Sequence, residues 1–170
     1  RLLSAEPGRA SWVKGYHVYE GGRASRGANR VNLLQLQNDE NVTSMLRIPK
    51  DNEDGFITMV TCNGLIKRSK LSAYRNIRKS GLIAINLEEG DALAWTRLTT
   101  GNDELLVATS GGYAIRFEES QARVLGRNSK GVRAIRLKEG DRVVGVAILR
   151  EGATLRTVSE AGKGRRTRLE

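Results

Sequence analysis

The sequence predicts an all-β chain built from propeller-like, four-stranded blades, and three observations carry that prediction. A pattern of about fifty residues repeats along the chain. Glycine is abundant and proline scarce, at 19 and 2 residues of 170, which suits many tight turns between short strands. Hairpin signals recur in step with the repeat.

The repeat is read most easily in its third strand. Gly81-Leu82-Ile83-Ala84-Ile85-Asn86-Leu87-Glu88-Glu89-Gly90-Asp91 lies over Gly131-Val132-Arg133-Ala134-Ile135-Arg136-Leu137-Lys138-Glu139-Gly140-Asp141 at a constant offset of 50. Arg30-Val31-Asn32-Leu33-Leu34-Gln35-Leu36 is an earlier copy, 51 residues before the first. The hairpin repeats too. Val60-Thr61-Cys62-Asn63-Gly64-Leu65-Ile66-Lys67-Arg68 returns as Ala108 to Arg116 and again as Val158 to Arg166. Asn63-Gly64 and Gly111-Gly112 tolerate the positive φ that such turns demand.

Taken in order, residues 1–50 form a partial blade, 51–101 and 102–151 a blade each, and 152–170 the start of the next. The expected strands are 55–61, 64–68, 82–87 and 92–98 in the second unit, and 104–109, 112–117, 131–137 and 142–149 in the third. A chain that begins and ends within blades reads as part of a larger disk, about three blades forming an open arc. The rival, a β-sandwich with accidental similarity, must explain two elements repeating together.

Charge follows the same period. The net charge is +10, which points to an acidic partner, with nucleic acid ahead of a membrane surface. No acid lies between Asp54 and Glu88, where Lys67, Arg68, Lys70, Arg75, Arg78 and Lys79 fall. None lies between Glu119 and Glu139, where Arg123, Arg127, Lys130, Arg133, Arg136 and Lys138 fall. Radially arranged blades turn such phased runs into a band able to follow a phosphate backbone without reading bases. The expected contacts are Arg26, Arg30, Lys67, Arg68, Lys70, Arg75, Arg78, Lys79, Arg116, Arg123, Arg127, Lys130, Arg133, Lys163, Arg165 and Arg166. Aromatic content of 5% is too low for single-strand stacking platforms, and Trp12 and Trp95 read as core.

Chemistry finds no foothold. His17 is the sole histidine and has no nucleophile beside it in sequence. Cys62 is the sole cysteine, so neither a disulfide framework nor a cysteine metal site is expected. Glu88, Glu89 and Asp91 lose one acid in their copy, Lys138, Glu139 and Asp141. Gly162-Lys163-Gly164-Arg165-Arg166 lacks the spacer and Lys-Ser/Thr pair of a nucleotide loop and is expected to be a hairpin. No apolar stretch approaches a membrane span, no signal-peptide h-region is visible, and a cytoplasmic setting is expected.

These repeats resemble the C-terminal domain of the DNA gyrase A protein over essentially the whole chain. The most specific pieces are Val31-Asn32-Leu33-Leu34-Gln35-Leu36, Asn63 to Leu71, Ala108 to Phe117 and Gly126 to Arg133, with Gly8-Arg9, Trp12, Lys14 and Tyr16 matching strands after an opening blade. The resemblance implies a β-pinwheel, a disk of six blades in which neighbours exchange a strand. It implies a basic rim that wraps double-stranded DNA on the bacterial chromosome. The implied partners are the remainder of the gyrase A protein as a dimer and the gyrase B protein in a heterotetramer. No cofactor is expected in this chain, and ATP and Mg²⁺ belong elsewhere in the holoenzyme. The family's basic box is absent from these residues, so the related C-terminal domain of topoisomerase IV stays open, as does a protein-interaction propeller with a basic face.

Overall fold

A computed structural model of the chain describes residues 2–6, 8–18, 20–27, 42–48, 54–77 and 81–168. The strands are β1 (Leu2–Glu6), β2 (Arg9–Val13), β3 (Ser44–Arg47), β4 (Phe56–Thr61), β5 (Leu65–Lys70), β6 (Leu82–Ile83) and β7 (Leu93–Thr99). They continue as β8 (Glu104–Thr109), β9 (Ala114–Glu118), β10 (Val132–Arg133), β11 (Val143–Leu149), β12 (Thr154–Val158) and β13 (Gly164–Arg168). Four antiparallel sheets result, with orders β3-β1-β2-β6, β10-β5-β4-β7, β11-β8-β9 and β12-β13. This is the pinwheel architecture. The copy of the third strand at residues 30–36 lies outside the described residues.

The apolar cores lie between sheets. Ala10, Leu46 and Ile48 meet Ile57, Met59, Leu71, Tyr74, Ala84, Ile85 and Leu93 in the first core, with Trp12 packed against it. Val60 and Ile66 meet Leu105, Val107, Ala122 and Val143 in the second, with Trp95 at its margin. The second sheet is therefore covered on both faces, and β4 reads as an unbroken buried run from Ile57 to Thr61.

Each of the first two sheets is finished by a strand from the following repeat. β6 pairs with β2 through Arg9↔Ile83 and Ala10↔Leu82, and β10 pairs with β5 through Leu65↔Arg133 and Ile66↔Val132. The strand exchange implied by the resemblance is thus present. Sheets and contiguous sequence units consequently do not coincide. The expected third strands, 82–87 and 131–137, shorten to two residues each for a local reason. The next two amides converge on one carbonyl: Ala84 and Ile85 donate to Gly8 O, and Ala134 and Ile135 donate to Gly64 O. That convergence bends the chain out of the ladder. The strand expected at 104–109 is β8, and the other strand bounds lie within two residues of expectation.

Glycine is required where the exchange closes. Gly8 and Gly64 have φ of +75° and +82°, and a Cβ there would lie 2.4 Å from Ile85 O and 2.9 Å from Ile135 O.

Candidate nucleic-acid interface

Among the described residues, the basic segment at 122–131 lies along an edge of the second sheet. After Lys70 the chain makes a 3-10 turn, Leu71–Tyr74, and after Glu118 it makes an equivalent turn, Glu119–Gln121. From the second turn, residues 122–131 run along the β5 edge of the preceding sheet. Arg68 and Val124 form a parallel bridge, Leu125 N donates to Arg68 O at 2.8 Å, and Ser69 Oγ donates to Leu125 O at 2.8 Å. Asn86 N donates to Ser129 O at 3.1 Å. A loop fastened at these points holds Arg123 and Lys130 exposed and Arg127 half-buried, with exposed Arg133 following on β10.

Arg75 and Arg26 are exposed after the corresponding turns of the earlier repeats, and Lys70 is exposed at the end of β5, where the next repeat has Glu118. Arg30, Arg78 and Lys79 lie outside the described residues. Arg116 is exposed and bonded to Glu104 through Nε at 2.5 Å and Nη2 at 2.8 Å, which holds the Glu104 carboxyl below its usual range. Lys163 sits in the hairpin turn, at the far end of its strand from the loops, while Arg165 and Arg166 are exposed on β13.

Lys67 and Arg68 require correction as surface contacts. Both are buried, with relative exposures of 1% and 7%. β5 is flanked by both cores, so each of its two faces points inward. The Lys67 ammonium donates to Ala84 O and Arg127 O. Burial foremost, then the Arg127 charge, lowers its pKa to about 8. Arg68 turns to the opposite face. Its Nε donates to Ala122 O and its Nη1 to Gly101 O, both at 3.1 Å, and Nη1 lies 3.5 Å from Glu119 Oε2. Its guanidinium covers the Phe56 ring at 4.6 Å. Glu119 is fully buried and accepts from Thr99 Oγ1 at 2.6 Å, Gly101 N at 2.6 Å and Asp103 N at 3.0 Å. These two cations are the mount of the basic loop rather than its contact surface.

Trp12 occupies the place of Arg68 one repeat earlier, and its Nε1 donates to Tyr74 O at 2.6 Å. Indole and guanidinium thus perform one task, holding the 3-10 turn of the next repeat. Sequence reasoning missed Ser69 and Glu119 as parts of this mount. The available signal was the Glu118-Glu119 pair at the border of an acid-free run.

The acids have structural work elsewhere. Asp91 Oδ1 accepts from Asn63 N at 2.9 Å and Ala92 N at 2.8 Å. Asp141 Oδ1 accepts from Ser110 Oγ at 2.8 Å, Gly111 N at 2.7 Å and Arg142 N at 2.8 Å. The Thr109 hydroxyl foremost, with these donors, lowers the Asp141 pKa to about 2. The Gly-Asp pairs brace hairpin turns, so acid collects at the turns and base along the loops. Among the described residues no group of three or more potential metal ligands occurs, and no helix is long and apolar enough to cross a membrane.

Comparison with known proteins gives a consistent answer. A family model described as the DNA gyrase C-terminal domain, beta-propeller, matches residues 56–100 and 103–150. The DNA gyrase A protein of Staphylococcus epidermidis is 41% identical over 169 residues, covering 98% of this chain and 19% of the relative. That of Clostridium acetobutylicum is 45% identical over 132 residues, covering 78% of this chain and 16% of the relative. Among solved structures, a DNA topoisomerase IV C-terminal domain superposes with TM-score 0.88 at 27% identity, over 99% of this chain and 53% of that one. A DNA gyrase A C-terminal domain superposes with TM-score 0.81 at 25% identity, over 97% and 53%. The chain spans about a fifth of the length of these curated relatives, at 19% and 16%.

Proposed function

Because the chain belongs to the DNA gyrase C-terminal domain family, we propose that it binds duplex DNA without sequence preference and wraps it, in support of supercoiling by a type II topoisomerase. The observation that carries this reading is the basic loop at 122–131, fastened along the β5 edge of the preceding sheet, in a chain whose basic runs repeat in phase. Cations on a loop held by backbone contacts suit phosphates, which carry no base identity. The partners in this reading are duplex DNA, the remainder of the gyrase A protein as a dimer, and the gyrase B protein. ATP hydrolysis with Mg²⁺ and strand cleavage belong to other parts of the assembly, in the bacterial cytoplasm. The TM-score of 0.88 keeps a topoisomerase IV setting as the second reading. The gyrase reading is preferred on the 41% and 45% identities.

Bending duplex DNA through 40–90° costs on the order of 1–6 kcal/mol, so several contacts must offset it. Neutralising four to six phosphates gives log K against log salt a slope of roughly −4 to −5. Anisotropy titrations with two unrelated duplexes measure it. Changing Arg123, Arg127 and Lys130 together to Ala should flatten the slope by about two to three units, equally for both duplexes. An unchanged slope would place the loop off the DNA path.

A further inference from the structure

Lys67 carries a charge that the packing leaves unbalanced. It faces the main-chain carbonyls of Ala84 and Arg127. From β4 its cross-strand partner is Met59. From the 3-10 turn comes Tyr74, whose hydroxyl donates to Ala84 O at 3.3 Å and whose pKa burial raises. From the loop comes Arg127, a second cation, whose charge acts on Lys67. Of the acids after β6, Glu88 is turned to Lys130 at 3.3 Å, Asp91 accepts from Asn63 N and Ala92 N, and Glu89 is exposed. No acid of the described residues pairs with Lys67. Nor does the fold need a cation at this place: Ser11 and Ile115 hold it in the neighbouring repeats, by the registers Ser4↔Ser11, Met59↔Lys67 and Val107↔Ile115.

A buried cation beneath a second cation, on the edge that the proposed duplex follows, is a place where an added anion is worth most. We propose that Lys67 is a positioning residue that couples a proton to duplex binding, because a backbone phosphate drawn to Arg127 supplies the counter-charge that the fold withholds. The inference rests on the DNA-wrapping reading. In the free chain the ammonium loses its proton near pH 8, well below an ordinary lysine, so the amine is partly neutral just above that pH. A phosphate at Arg127 offsets the repulsion and favours the charged form. Binding therefore takes up protons, and affinity falls as pH rises through this window.

The test is calorimetric titration of the chain with a short duplex slightly above pH 8, in two buffers of different ionisation enthalpy, beside anisotropy titrations across alkaline pH. The expected result is net proton uptake by the protein, with log K falling by roughly 0.3–0.5 per pH unit. Lys67→Met should abolish both while keeping the terminal amine and Cys62, whose titrations it thereby subtracts. Hydrogen exchange at the Leu125 and Ser129 amides should quicken in the same variant, reporting release of the loop. The wild-type measurement stands even if that variant does not fold. Duplex binding without uptake, or uptake that persists in Lys67→Met, overturns the proposal. No binding at any pH overturns the DNA-wrapping reading itself, and so is told apart from those outcomes.

Discussion

Adjacent side chains on a strand point to opposite faces, and in β5 this parts two cations that are neighbours in the chain. Lys67 enters the space against the first sheet, and Arg68 enters the space against the third. Each binds carbonyls of the loop or turn that the next repeat contributes. For Arg68 the ion pair with Glu119 is buried on both sides, at 8% and 0% side-chain exposure. Removing one partner of such a pair costs about 3–5 kcal/mol, because the other charge stays buried. Arg68→Met should therefore lower the urea midpoint strongly. Adding Glu119→Gln to it should restore part of the loss, since a neutral amide oxygen still accepts from Gly101 N and Asp103 N. A double variant no more stable than the single would show that charge is not the cause.

At the scale of the element, the hairpin turn is the most self-consistent unit of the chain. The Gly111-Gly112 turn is held by Asp141, which reaches it from the segment before β11. The Asp141 pKa is depressed in the fold, from 3.8 to about 2. Its contribution is therefore complete above the unfolded value and is lost as pH falls through the folded one. Urea midpoints measured from about pH 5 down to about pH 2 should fall less steeply for Asp141→Asn than for the natural chain, and parallel curves would contradict the assignment. Turns and long strands were legible in the sequence because glycine, periodicity and a fixed offset are local signals. The two-residue strands β6 and β10 were not, since a pairing so short has no period and its partner is about seventy residues away. The basic loop was legible as a run of charge, and Arg123, Lys130 and Arg133 are indeed exposed. The inward course of Lys67 and Arg68 was not, because it depends on a sheet covered on both faces, which only the stacking of repeats creates.

Across the whole molecule, sheets are stacked with a core between the first and second and another between the second and third. Among the described residues β9 pairs with β8 alone, and its other edge is the one that a strand of the following repeat completes in the first two sheets. Tyr113 and Ile115, at 49% and 37% exposure, stand beside that edge. Without such a strand, an edge with apolar neighbours templates pairing between chains. Ile115→Lys should reduce concentration-dependent association in sedimentation velocity, whereas an unaltered profile would acquit this edge. The strand exchange also sets a timetable. β5 ends at Lys70, and the strand that completes its edge begins 62 residues later, at Val132. At synthesis rates of about 5–20 residues per second, the sheet waits roughly 3–12 s for its last strand. During that interval the β5 edge is bare and Lys67 lacks one of its two carbonyls. Growth of the molecule on the ribosome is thus a relay in which each of the first two sheets is handed its final strand by its successor.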